Sequence, residues 1–396
     1  MEGSPFTLKL RAMPSPLRRT QRTSLLARAV TKLNSLFSPK NPVNNAWVRH
    51  GQTWNEEYPG WHLPIRLHFI HRLPNEIVAR IFVLGAEDDD MLPVAVSHVC
   101  RRFRAISLHT PSLWRRISLG PPERMWRERI HRAKACSLDV QLLPWRTTSA
   151  GRVVTQPLDA PLVQLYMHLV TPFIHRWRSL EIVLSGYGPF LANAALSECC
   201  FQKKKGRALL LEELTLVYRS NDDTKEFCLF SAHAPRLRRL TLDGLRLTWL
   251  PSLFRNLTFL DYTHHGFSAG DEAVGEVLSM LAVCAALQEL RICFPRKLLA
   301  RPPGQFRMHM MRVSLPLLIH LHLRVETRDI PTELARLVPY LSTPSLTVLY
   351  LTDIGRRRHD FPSLRNFMRM YPRLPSLQTV YLEYGWHGSF LPRRRE

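Results

Sequence analysis

Histidine, cysteine and carboxylate side chains are the groups in this chain that could hold a metal or move a proton. His320-x-His322 would place two imidazoles on one face of a strand, a geometry open to metal ligation. His264-His265 are neighbours, and so are Cys199-Cys200, whose side chains diverge and make poor joint ligands. Neither histidine pair has a third ligand close in sequence, so placement at the surface outweighs a metal site. His68 and His71 read as solvated or packing residues. The seven cysteines include no C-x-x-C, which argues against a zinc ribbon or a redox dithiol. Several of them lie in apolar patterns and read as buried thiols of a reducing, intracellular compartment, cytoplasm or nucleus. No G-x-S-x-G, no Gly-rich phosphate loop ending in Lys and no H-E-x-x-H occurs. The expectation is a chain with no catalytic residue, no metal and no cofactor.

The elements that would carry these side chains follow one pattern. From Trp177 onward the order apolar-x-x-Leu-x-apolar recurs, as in Leu211-x-x-Leu214-x-Leu216 and Leu318-x-x-Leu321-x-Leu323. Its middle residues are Leu180, Leu214, Leu240, Leu260, Leu290, Leu321, Leu349 and Val380, spaced 20 to 34 residues apart. Each unit reads as a short strand that cannot bury its apolar side alone, so neighbours must stack in parallel around one core. Pro235, Pro316, Pro344 and Pro375 sit just before strands and would stop incoming helices; Asp271 to Ala286 reads as a returning helix. Residues flanking each middle leucine point away from the core and form a common surface. Its candidate target-binding members are Arg239, Phe259, Asp261, Arg291, His320, His322, Arg324, Tyr350 and Tyr381. Six acids on this surface (Glu181, Glu213, Asp243, Asp261, Glu289, Glu383) face three arginines, within a chain of net charge +23. A mixed face of this kind favours a protein or peptide over nucleic acid.

Upstream, Leu73 to Trp114 reads as three short helices. Pro74 suits a first helical position, and Glu76 suits the first turn. Ile77, Ile81 and Leu84 share one helical face, with Val78 and Phe82 on a neighbouring one. Val96, Val99, Cys100 and Phe103 repeat that spacing in a second helix, and Thr110 reads as the N-cap of a third. Roughly 40 residues are too few to bury two apolar faces without a partner.

Leu73-Pro74, Glu76, Ile81-Phe82, Val99-Cys100 and Leu113-Trp114 resemble an F-box in order and spacing, with Phe103 where that family often has Trp. The resemblance implies docking onto the Skp-family adaptor of a cullin–RING ubiquitin ligase. Its adaptor-binding residues would be Leu73, Pro74, Ile77, Ile81, Phe82, Val99, Cys100, Phe103, Leu113 and Trp114. The downstream array resembles an irregular leucine-rich repeat domain, a type often joined to an F-box, although the usual Asn after each strand is missing. Together these resemblances imply a substrate receptor of an SCF-type ligase that holds an unknown target protein on the repeat face. The alternatives are a basic nucleic-acid-associated repeat protein, and an F-box scaffold that delivers no target for ubiquitination.

The expected fold class is α/β: a three-helix F-box, then a curved leucine-rich-repeat-like solenoid with a parallel sheet, preceded by a disordered basic tail. The expected boundaries are residues 1–65 for the tail, 66–118 for the F-box, 119–176 for a connecting segment and 177–396 for the repeats. Within the tail, Thr23 to Phe37 could form a basic amphipathic helix, and Trp54, Tyr58 and Trp61 could pack onto the F-box. Within the connector, Arg116 to Leu119 and Leu138 to Leu142 alternate like strands, and Pro121 to Lys134 reads as a helix. No apolar run approaches the ~18 residues of a membrane span. Met1 to Leu10 carries Glu2, Ser4 and Lys9 in place of a secretory core.

Overall fold

The computed structural model describes residues 7–11, 69–147, 153–200, 207–295, 311–325, 330–354, 374 and 376–383. Thr23 to Phe37, Trp54, Tyr58 and Trp61 lie outside these residues. Two compact units form, one of residues 14–113 and one of residues 1–13 with 114–396.

The first unit is helical. A 3₁₀ turn (Phe69–Arg72) leads into α1 (Asn75–Gly85), followed by α2 (Leu92–Ser97), α3 (Arg101–Leu108) and a second 3₁₀ turn at Pro111–Trp114. Pro74 is the cap residue before α1, one position earlier than the sequence predicts, and its carbonyl accepts the Val78 N–H at 3.2 Å. The predicted continuous helix through Val96 and Phe103 is broken. Cys100 is extended, and its Sγ accepts the Phe103 N–H at 3.4 Å, so it caps α3. The break lets Val96 and Phe103 both turn inward while Val99 turns out. Thr110 does not cap the next turn; its hydroxyl donates back to the Ile106 carbonyl at 2.7 Å. The residues buried in this unit include Val78, Phe82, Val96, Phe103 and Ile106.

The second unit is built on an eleven-stranded sheet. Its strands are β1 (Thr7–Arg11), β2 (Arg116–Ser118), β3 (Leu138–Leu142), β4 (Trp177–Val183), β5 (Glu213–Val217) and β6 (Arg239–Asp243). They continue with β7 (Phe259–Thr263), β8 (Glu289–Cys293), β9 (His320–Val325), β10 (Val348–Asp353) and β11 (Thr379–Glu383). From β2 to β11 they lie side by side in chain order, all parallel, and β1 closes the series against β11. Parallel neighbours need crossover connections. Helices in these connections include α4 (Glu123–Arg132), α5 (Ala160–Val170), α6 (Leu191–Cys200), α7 (Pro251–Phe254), α8 (Gly270–Val283) and α9 (Thr332–Leu337). Asp159 caps α5 by accepting the Leu162 N–H at 2.9 Å.

The middle residues of the sequence pattern stand opposite one another strand by strand, from Leu180 to Val380. Each is at most 1% exposed, so the row is the spine of the core. Period-2 alternation then sends the flanking residues to the other face.

Two observations bear on the expected boundaries. Within the segment 119–176, β3 belongs to the same sheet and Val140 extends the same row; β2, just before it, adds Ile117. Leu138 precedes Val140 by two residues where Trp177 precedes Leu180 by three, and the register shifts at that point. That one-residue irregularity hid the unit from a fixed-spacing pattern. In the N-terminal region, expected to be mostly disordered, Thr7 to Arg11 pair with Thr379 to Glu383, and Leu8 stands opposite Val380.

No helix among the described residues is long and apolar enough to cross a membrane.

Candidate functional site

The helical unit leaves an apolar stripe uncovered. Ile77, Ile81 and Leu84 recur at i, i+4 and i+7 on α1 and are 49%, 38% and 36% exposed. Val99 and Leu108 are also exposed. Pro74 is exposed and Leu73 partly so. The Leu73-Pro74 entry is held by Arg102 on α3. Its Nε and Nη2 donate to Asn75 Oδ1 at 3.1 and 2.9 Å, and Nη2 also donates to the Leu73 carbonyl. A forked guanidinium thus ties the start of α1 to α3.

Among the adaptor residues expected from sequence, Leu73, Pro74, Ile77, Ile81 and Val99 reach the surface, and Cys100 is half-buried in its capping role. Phe82, Phe103, Leu113 and Trp114 do not, being 5%, 4%, 2% and 1% exposed. They are packing residues, and a partner could reach them only if the fold opened. Leu84 and Leu108 belong to the exposed set and are missing from the expected one. The spacing of Leu84 with Ile77 already marked it; Leu108 carries no comparable signal.

On the sheet, the flanking residues converge as expected, but many are already occupied with one another. His322, Tyr350 and Tyr381 form a stack along three neighbouring strands, with centroid separations of 4.0 and 4.8 Å and interplanar angles of 7° and 12°. His320 meets Tyr350 edge-on at 6.4 Å. Phe259 is no open anchor: Arg239 and Arg291 cover its ring at 4.0 and 5.0 Å, and it is 7% exposed. Arg324 forks onto both carboxylate oxygens of Asp261 and donates to the Thr263 hydroxyl at 3.2 Å.

The acids that make this face negative in the sequence are largely compensated in place. Glu289 takes Arg291 at 2.8 Å and lies 3.2 Å from His322 Nε2. Glu213 lies 3.5 Å from Arg239, and Asp243 takes Arg219 at 2.7 Å. Burial pushes the Asp261 carboxyl upward, and the attraction of Arg324 and Arg291 only partly opposes it. Burial also pushes the His322 imidazole down to about 3, helped by Arg291, His320 and Arg324.

The His264-His265 pair, expected at the surface, is buried beside α8. His264 Nδ1 accepts the Gly266 N–H at 3.1 Å, and His265 Nδ1 accepts the Phe267 N–H at 3.0 Å. Each neutral ring therefore carries its proton on Nε2. Both Nε2 groups meet Glu276 Oε2, at 3.3 and 3.0 Å, and the Ser268 hydroxyl donates to the same oxygen at 2.8 Å. His264, His265 and Glu276 are close enough together to be considered as metal ligands. A metal on Nε2 would need the ring protons on Nδ1, facing two backbone donors, so the arrangement favours a closed hydrogen-bond cluster. Burial opposes ionisation of Glu276, but the three hydrogen bonds outweigh it and hold its carboxyl well below the usual range. Burial likewise lowers His264.

A family model described as F-box-like matches residues 70–120 of the chain, which spans the helical unit's described elements and β2. No curated protein matches the chain in a comparison of sequences.

Proposed function

We propose that this chain is a non-catalytic receptor subunit of an SCF-type cullin–RING ubiquitin ligase. The F-box-like segment docks the Skp-family adaptor through Ile77, Ile81, Leu84, Val99 and Leu108, with Leu73 and Pro74 at the rim. The parallel sheet and its crossovers form a leucine-rich-repeat-like solenoid, and its polar face holds a target protein around Tyr350, Tyr381, His320 and Arg239. The single observation that carries this reading is the uncovered stripe Ile77-Ile81-Leu84 on a segment that matches an F-box-like model. Exposed apolar residues clustered on one face mark an interaction surface. Holding a target near the ligase's other subunits raises its effective concentration, which is all the chemistry a receptor contributes.

Co-expression with the Skp-family adaptor, followed by purification in salt high enough to screen the basic surface, tests the proposal. Wild type carries the adaptor through purification, and Ile77→Asp/Ile81→Asp does not. A folded wild type that leaves the adaptor behind overturns it.

A further inference from the structure

A further surface lies in the crossovers of the sheet unit. A cavity of about 670 Å³ opens between α4, α5 and the 3₁₀ turn Thr171–Arg176. Arg127, His131, Lys134 and Arg176 line it together with Ile130, Leu169 and Phe173. Among the described residues no carboxylate pairs with Arg127, Lys134 or Arg176. His168, also at the wall, lies 3.2 Å from Glu198.

We propose that this cavity binds a phosphorylated peptide segment, with a phosphotyrosine-type side chain seated in it. The cations supply the charge for a phosphate dianion, and Ile130, Leu169 and Phe173 supply an apolar wall for the ring that carries it. Arg176 is already oriented. Its Nε and Nη2 both donate to the Cys136 carbonyl, at 3.1 and 3.0 Å, which fixes the plane of the guanidinium and leaves Nη1 without a hydrogen bond among the described residues. The same group lies 5.7 Å from the Phe173 ring centroid, so cation and apolar wall are held side by side.

Two further features favour a ligand over simple solvation. Helix C-termini attract cations, which accounts for His131 in the last turn of α4 and Arg176 in the last turn of Thr171–Arg176, but not for Arg127 inside α4. Lys134 sits at φ 48°, a left-handed conformation unusual for a lysine, just after the α4 C-cap Ala133. Glycine would hold that turn with less strain. A nucleic-acid strand needs cations spread along a track; here they converge on one cavity.

The test uses the full chain and does not depend on the ligase reading. Titration calorimetry would compare phenyl phosphate and capped phosphotyrosine with phenol and capped tyrosine, and with a single-stranded oligonucleotide. Wild type should bind the two phosphates at least about tenfold more tightly than their dephosphorylated forms. Arg127→Gln and Lys134→Gly should each weaken phosphate binding about tenfold. Lys134→Gly removes the strained φ, so its thermal midpoint should hold or rise, which separates lost binding from lost folding. Equal affinity with and without phosphate, unaltered affinity in both variants, or an oligonucleotide bound with the same sensitivity to both would each overturn the proposal.

Discussion

The ring of Phe82 meets that of Phe103 edge-on, with centroids 5.1 Å apart and planes at 74°. Two residues that sequence comparison with an F-box would assign to the adaptor are thereby joined to each other. Phe103→Ala should cost about 3–5 kcal/mol of stability, the range for emptying an aromatic from a core. Ile77→Asp/Ile81→Asp should leave stability within about 1 kcal/mol, because these residues are already 49% and 38% exposed. Denaturant unfolding beside adaptor pull-down separates the two: one variant loses the fold, the other loses only the partner. If Ile77→Asp/Ile81→Asp retained the adaptor, the exposed stripe would not be the docking surface.

Arg102 should matter more than its surface position implies. Arg102→Ala removes the charge-assisted hydrogen bonds to Asn75 Oδ1 and the Leu73 carbonyl, at a cost of about 1–3 kcal/mol. Arg102→Lys should recover little of this, since a single ammonium cannot reproduce the fork. A lowered thermal midpoint in both variants, together with a faster adaptor off-rate, is the expected result. Full rescue by lysine would mean that charge alone, without geometry, holds Leu73-Pro74.

His322 makes the sheet unit sensitive to acid. Its folded pKa of about 3 lies below the ordinary histidine value of about 6.5, so the unfolded chain takes the proton first. Stability therefore falls as pH drops from about 6.5 toward 3, by at most about 1.4 kcal/mol per pH unit from this group. Above that window the group contributes no slope. Glu289, 3.2 Å from the ring, is already neutralised by Arg291 and does not hold the proton on. Unfolding of wild type and His322→Phe at pH 7, 5 and 4 isolates the effect, since phenylalanine keeps the stack on Tyr350. Parallel pH curves for the two would show that His322 is not its source.

Gly244 follows β6 at φ +76°, where a Cβ would lie 2.1 Å from the Tyr218 carbonyl oxygen. Gly244→Ala combines a left-handed penalty with a clash against backbone, and should destabilise by on the order of 2–4 kcal/mol. Gly186 has φ +77° but open space around it, so Gly186→Ala should cost only about 1 kcal/mol. Thermal unfolding of the pair checks whether close approach, beyond backbone angle alone, sets the difference.

Much of the sheet was legible because its signal is local. Leu180, Leu214, Leu240 and their successors lie in segments whose alternation names both the strand and its buried side. The same alternation places Tyr350, Tyr381 and His322 on one face. The boundaries were less legible. Leu138 and Val140 are offset by one residue from the rule, and β1 pairs with a strand more than 360 residues away.

By itself the sequence determined periodicity: which segments are strands or helices, and that α1 has two apolar faces. Only the tertiary structure decided which face is covered. Ile81 and Phe82 are adjacent and both apolar, yet one is 38% exposed and the other 5%, because α3 brings Phe103 to one side of α1 and, among the described residues, nothing comparable to the other. The same holds for His264 and His265. Their types read as surface or metal residues, whereas Glu276 and two backbone N–H groups, placed by the turn into α8, close them into a buried cluster. Periodicity is a property of neighbouring residues, but burial depends on which distant residues arrive, and that is settled only when the chain packs.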